Sequence, residues 1–140
     1  MKLSLVVPCY NEAENVANFQ IAVISAFDGC GYDYEIVFVD DGSKDATLHN
    51  LKKLHAAHKC PVKIISFSRN FGKESAIFAG LSHANGECTV VIDCDLQHPP
   101  EVIPEMYKLW KDGYDVVEGI KSERGDESKL HKLFVGAFYG

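Results

Sequence analysis

Two acids one residue apart, Asp93 and Asp95, follow the apolar, β-branched run of residues 89–92. That run reads as a buried strand, so the carboxylates stand where the chain leaves a sheet. Core stability gives no reason for them. Like charges repel, and each is costly to desolvate unless it is paired or bound to a metal. In extended chain, residues i and i+2 face the same side about 7 Å apart, and a turn after Asp93 brings them closer. One or two carboxylates together with the phosphates of a ligand suit a hard divalent cation, Mg²⁺ or Mn²⁺. Gln97 could add a neutral oxygen. The competing reading is that both acids cap the following turn.

Other chemistry-bearing residues cluster in the same way. Asp40 and Asp41 end a second apolar run, where a carboxylate can accept hydrogen bonds from a base N–H or from sugar hydroxyls. Gly42 and Ser43 fit a strand-to-helix turn, which accounts for Asp41 better than for Asp40. In Pro8-Cys9-Tyr10-Asn11-Glu12, Pro8 ends a strand, Tyr10 could stack on a base, and Glu12 could bond a base or ribose. Arg69, Lys73, Lys121 and Arg124 are candidate phosphate partners, the last two in a Gly-containing basic loop.

The elements that must position these residues alternate. Strands are expected at residues 3–7, 35–39, 62–66, 89–92 and 115–118. Between them, Val16, Phe19, Val23, Ile24 and Phe27 keep helical spacing, as do Leu48, Leu51 and Leu54. Asn11 is expected to cap the first helix, and Ser43 or Asp45 the second. A third helix follows Gly72-Lys73, with small residues Ala76, Ala79 and Gly80 suited to close packing. A fourth opens at Pro99-Pro100. Residues 129–140 read as the start of a further amphipathic helix, and the chain as a fragment of a longer protein. Strands alternating with helices imply an α/β domain with a mostly parallel sheet. Ligands of such sheets sit beyond the carboxyl ends of the strands, where all three polar clusters fall (residues 8–12, 40–43 and 93–95).

At 140 residues and net charge −6, the chain suggests one domain and argues against a broad nucleic-acid surface. Its five cysteines form no CxxC pair, so reduced thiols are expected rather than a disulfide framework. The amino-terminal run is strand-like rather than a signal peptide. No stretch approaches the roughly 18–20 apolar residues of a membrane span. No G-x-G-x-x-G follows the first strand and no P-loop is present, which disfavours a dinucleotide redox fold and a P-loop nucleotidase. The histidines lack zinc-type spacing, and no Ser-His-Asp or Cys-His set is apparent.

Four strings taken together resemble glycosyltransferase family 2, of the GT-A fold: Val6-Val7-Pro8-Cys9-Tyr10-Asn11-Glu12, Val39-Asp40-Asp41-Gly42-Ser43, Ser68-Arg69-Asn70-Phe71-Gly72-Lys73-Glu74, and Asp93-Cys94-Asp95-Leu96-Gln97-His98-Pro99-Pro100-Glu101. Within that family the chain is most similar to polyprenyl-phosphate glycosyltransferases, and the third and fourth strings point to the bactoprenol type. The resemblance implies a GT-A, Rossmann-like three-layer sandwich, with residues 1–140 as the nucleotide-sugar-binding part of a longer catalytic domain. It implies Pro8, Tyr10, Glu12, Asp40 and Asp93 as nucleotide contacts, and Asp93, Asp95 and Gln97 as holders of Mg²⁺ or Mn²⁺ and diphosphate. Asp93 and Asp95 would be the catalytic pair, with Lys121 and Arg124 near the phosphates or acceptor. Lys121 stands where many relatives carry arginine, which keeps the charge and loses a bidentate fork.

The implied reaction moves a sugar, with inversion, from a nucleotide diphosphate sugar (a UDP-sugar favoured) to a polyprenyl phosphate lipid. No nucleic-acid partner is implied. A homo-oligomer is an expectation from relatives that often assemble. The full-length protein is expected at the cytoplasmic face of a membrane, attached through a missing carboxyl-terminal region, with the fragment itself soluble. Two alternatives stay open: transfer to a glycan hydroxyl, and a nucleotide-sugar-binding module without turnover.

Overall fold

The computed structural model describes residues 2–121 and 133–138, with side chains through residue 119. It divides into two compact units, residues 1–100 and 101–140.

In the first unit, β1 (Lys2–Cys9), β2 (Asp33–Asp40), β3 (Val62–Ser66) and β4 (Cys88–Val91) form one sheet in the order β3-β2-β1-β4. All three pairings are parallel, with Val6 opposite Val37 on one side of β1 and Val91 on the other. β1 and β2 are apolar on both faces and buried along most of their length, as expected of central parallel strands. The helices α1 (Val16–Phe27), α2 (Thr47–Ala56) and α3 (Lys73–His83) are the crossovers.

The alternation of side chains along β2 sorts these helices to two faces. Phe38 points to α1, its ring meeting Phe19 edge-on at 6.1 Å between centroids. α2 packs beside α1. Val37 and Val39 point the other way, toward α3, where the small-residue stripe matters. An added Cβ at Gly80 would overlap Val6 Cγ1, so the helix lies nearly in contact with the strand. The result is the three-layer α/β sandwich with a parallel sheet that the sequence implied.

A buried polar knot fastens the amino-terminal edge of this sheet. Glu35 is 2% exposed, and its Oε1 accepts from Ser4 Oγ at 2.7 Å and from the Asn85 N–H at 2.8 Å. Lys63 and Lys2 approach Oε2 at 3.1 and 3.5 Å. Burial alone would raise this carboxyl. The Asn85 and Ser4 hydrogen bonds and the two ammonium groups outweigh it and hold the group at about 2.

The second unit contains a short 3₁₀ turn ending at Val102, α4 (Ile103–Lys111), β5 (Val116–Lys121) and β6 (Leu133–Phe138), the last two antiparallel. Three local expectations change. Residues 133–138 are a strand rather than a helix: Phe134, Val135 and Phe138 are β-favouring, and β5 supplies a hydrogen-bonding edge. Asn11 does not cap α1, which starts only at Val16. Its backbone sits at φ 53 and its side chain reaches a different loop. Ser43 likewise serves another loop, whereas Asp45 does accept the Thr47 N–H at 2.9 Å at the start of α2. Among the described residues, no helix is long and apolar enough to cross a membrane.

Candidate functional site

Strand order locates the site before any side chain is considered. The chain moves outward from β1 to β2 to β3, then crosses back to lay β4 on the other side of β1. The connections therefore diverge between β1 and β4, and that divergence opens a crevice at the carboxyl ends of the two strands. A cavity of about 240 Å³ lies there. β1 and the loop after it supply Pro8, Cys9, Tyr10 and Glu12, and the turn after β4 supplies Asp93 and Asp95. Asp41 and Lys73 complete the wall.

The loops that carry these residues are laced to one another. Ser43 Oγ accepts the Asn11 N–H at 2.9 Å, and Asn11 Oδ1 accepts the Lys44 N–H at 2.9 Å. Thr47 Oγ1 accepts the Glu12 N–H at 2.9 Å, and Asn50 Nδ2 donates to the Ala13 carbonyl at 2.9 Å. Asp45 is held below the usual carboxylate range chiefly by the Thr47 hydroxyl, and it also accepts the Ala13 N–H at 3.3 Å. Three backbone donors of the β1–α1 loop, at Asn11, Glu12 and Ala13, are thus satisfied by side chains of the β2–α2 loop and the first residue of α2. Glu12 Oε2 accepts from Asn15 Nδ2 at 2.6 Å, which orients that carboxylate beside the cavity.

Asp41 is an anchor for a third loop. It is buried, and its two oxygens accept the Phe71 N–H at 2.8 Å and the Gly72 N–H at 3.1 Å. Gly42, at φ +70, lets this happen. An added Cβ would overlap the Arg69 carbonyl carbon, so only glycine permits the two loops to touch. The grip on residues 71 and 72 fixes the start of α3, whose first residue is Lys73. Lys73 Nζ lies 2.8 Å from Asp93 Oδ1.

The acidic turn after β4 is shaped by its own side chain. Asp95 Oδ1 accepts the Gln97 N–H at 3.1 Å, and Leu96 between them takes φ 63, a conformation uncommon for leucine. Between the two acids, Cys94 turns inward. The Cys9 thiol donates to its sulfur at 3.8 Å. That contact and burial push the Cys9 thiol well above its usual range, so it stays protonated and serves as packing. All five cysteines are free.

The structure gathers Pro8, Tyr10, Glu12, Asp93 and Asp95 as the sequence suggested, with Tyr10 41% exposed at the rim. Asp40 is different. It is 2% exposed, does not line the cavity, and its Oδ1 accepts the Ser43 N–H at 3.2 Å. Gln97 is exposed and also absent from the wall. Lys121 closes β5 in the second unit and its side chain lies outside the described residues, as does the whole of Arg124. Sequence reasoning places Asp41 and Cys9 at this edge of the sheet but does not select either as a site residue. Asp41 looked like a turn residue because its partners are thirty positions away, and only its adjacency to Asp40 could have flagged it. Among the described residues, no three His, Cys, Asp or Glu side chains gather as a metal cage.

The family model for glycosyl transferase family 2 matches residues 4–133. The prophage bactoprenol glucosyl transferase homolog of Escherichia coli (strain K12) is 44% identical over 139 residues, which is 99% of this chain and 45% of that protein. The chain therefore spans under half the length of such curated relatives. Among solved structures, the mannosyltransferase PcManGT from Pyrobaculum calidifontis, in complex with GDP-Man and Mn²⁺, aligns with a TM-score of 0.74 at 26% identity, over 87% of this chain and 36% of that one. S. aureus TarS 1-349 in complex with UDP aligns with a TM-score of 0.59 at 29% identity, over 68% of this chain and 28% of that one.

Proposed function

The chain belongs to glycosyltransferase family 2, of the GT-A fold, and from that premise we propose that it is the nucleotide-sugar half of an inverting enzyme that glycosylates a polyprenyl phosphate. The observation that carries the reading is the cavity between β1 and β4, where Asp93, Asp95 and Lys73 meet the Pro8–Glu12 segment. A UDP-sugar is favoured, supported by the UDP-bound neighbour and by the bactoprenol-type relative.

The donor set fits a divalent cation, Mg²⁺ or Mn²⁺. Two carboxylates share one cavity, and the ammonium now resting on Asp93 marks a point where positive charge is stable. Two protein carboxylates with substrate phosphates completing the shell is a common arrangement for such ions. When bound, the cation would neutralise the negative charge that grows on the departing nucleoside diphosphate.

The chain's own residues do the rest. Pro8, Tyr10 and Glu12 form the nucleotide wall, with Tyr10 free to stack on the base and Glu12 held by Asn15. Asp40 acts from behind this wall by holding the Gly42–Ser43 turn, and Gln97 acts through its N–H by fixing Asp95. Lys73 supplies positive charge for the phosphates. Lys121 and Arg124 are proposed partners of the phosphates or acceptor. The acceptor phosphate attacks C1 of the sugar from the face opposite the leaving group, which inverts the anomeric centre. A phosphate monoester is largely dianionic near neutral pH, with a second pKa of about 6, so it needs a general base far less than a sugar hydroxyl does.

The test is incubation of the complete gene product with radiolabelled UDP-glucose and polyprenyl phosphate in detergent. Label should enter the solvent-extractable lipid. Label found only in water-soluble glycan would overturn the acceptor, hydrolysis without transfer would overturn the transfer reaction, and binding without turnover would favour a nucleotide-sugar-binding module.

A further inference from the structure

The cavity is electrically lopsided. Among the described residues, Glu12, Asp41, Asp93 and Asp95 line it, against the cation Lys73. Two of these carboxylates are committed: Asp41 to the Phe71 and Gly72 N–H groups, Glu12 to Asn15. All four carboxylates stay negative, Asp93 is the one with an ammonium partner, and a diphosphate entering this site meets repulsion unless positive charge is added. Lys73 sits on Asp93 at 2.8 Å, yet the pair is open to water, with the two side chains 59% and 38% exposed. Ion pairs this exposed are weak and exchange readily. The root of Lys73 is fixed, because Asp41 grips the two residues before it, while its four-carbon stem leaves the ammonium free to swing.

We infer that Lys73 is the resident counter-ion of Asp93, which yields that carboxylate to a divalent cation and carries its own charge over to the incoming diphosphate. The inference rests on the proposed nucleotide-sugar reading and adds a coupling to it. With Lys73 on Asp93, a metal ion must displace an ammonium before it binds. With a diphosphate present, the displaced ammonium gains a new partner. Metal and nucleoside diphosphate therefore favour each other's binding, and Lys73 is part of the link.

Mn²⁺ binding followed by electron paramagnetic resonance, with and without UDP, tests this on wild type, Lys73→Met and Lys73→Arg. The side chain is exposed, and a thermal melt checks that each variant is folded. Without UDP, Lys73→Met should take Mn²⁺ about two- to fivefold more tightly than wild type, the range that removal of an exposed ion pair allows. Lys73→Arg should stay within about twofold of wild type, because it keeps the competitor. The enhancement of Mn²⁺ affinity by UDP should shrink in Lys73→Met. If Lys73→Met binds Mn²⁺ no more tightly than wild type, while wild type still binds it with UDP, the Lys73 inference falls and the site reading stands. If neither protein takes Mn²⁺ even with UDP, both fall.

Discussion

At the scale of single residues, Asp41 and Asp93 divide the work of an acidic cavity in opposite ways. Asp93 is half-buried and keeps an exposed ammonium partner, whereas Asp41 is buried and spends both oxygens on backbone N–H groups. Asp41→Ala should therefore act first on stability. Two part-buried backbone donors lose a charged acceptor, which costs about 2 kcal/mol, and the start of α3 loses its anchor. Asp41→Asn retains one acceptor oxygen and should cost about half as much. Urea denaturation checks both. A wild-type midpoint for Asp41→Ala, accompanied by lost UDP affinity, would show that this carboxylate touches ligand instead of holding the loop. Sequence alone could not separate the two cases: Asp40 and Asp41 are neighbours of one type, and what distinguishes them is which of two loops each oxygen meets.

At the scale of elements, the two edges of the parallel sheet have different tasks. The carboxyl edge gathers the candidate site residues, and the amino edge is tied down by Glu35 on β2, which joins β1, β3 and the turn before β4 through Ser4, Lys63 and Asn85. Its folded carboxyl sits at about 2 against an ordinary 4.5. A depressed value stabilises the fold above the unfolded pKa, and that stabilisation disappears as pH falls from 4.5 toward 2. Glu35→Gln should be less stable than wild type near neutral pH, and the gap should narrow through this acid window. Denaturant midpoints measured at pH 6, 4 and 2.5 give the comparison, and a gap constant with pH would contradict it.

The same elements mark how far the sequence could be read. Apolar runs bounded by turn residues gave every strand and crossover of the first unit, because burial on both faces leaves a plain signature in β1 and β2. The caps were less legible. Asn11 and Ser43 have the right chemistry for capping, but each spends its side chain on the other's loop, a choice set by tertiary proximity. Residues 133–138 carry apolar side chains at spacings that suit either a helix or a strand, and pairing with β5 decides for the strand.

At the scale of the whole molecule, a reversal in strand order turns local motifs into a site. Neither Pro8–Glu12 nor Asp93–Asp95 is informative enough alone; they meet because β4 returns beside β1. That convergence was legible as three polar clusters at strand ends, whereas the Lys73–Asp93 pair was not, since it depends on how Asp41 seats α3. The membership in glycosyltransferase family 2 agrees with this arrangement, and the central claim built on it is that Asp93 and Asp95 hold a cation against a nucleotide diphosphate. Anomalous diffraction at the manganese edge from crystals soaked with Mn²⁺ and UDP-glucose tests it most directly. The account predicts one strong peak between the Asp93 and Asp95 carboxylates, bridged to the diphosphate, with Lys73 moved off Asp93. A bound nucleotide whose diphosphate and manganese lie away from both carboxylates would contradict it.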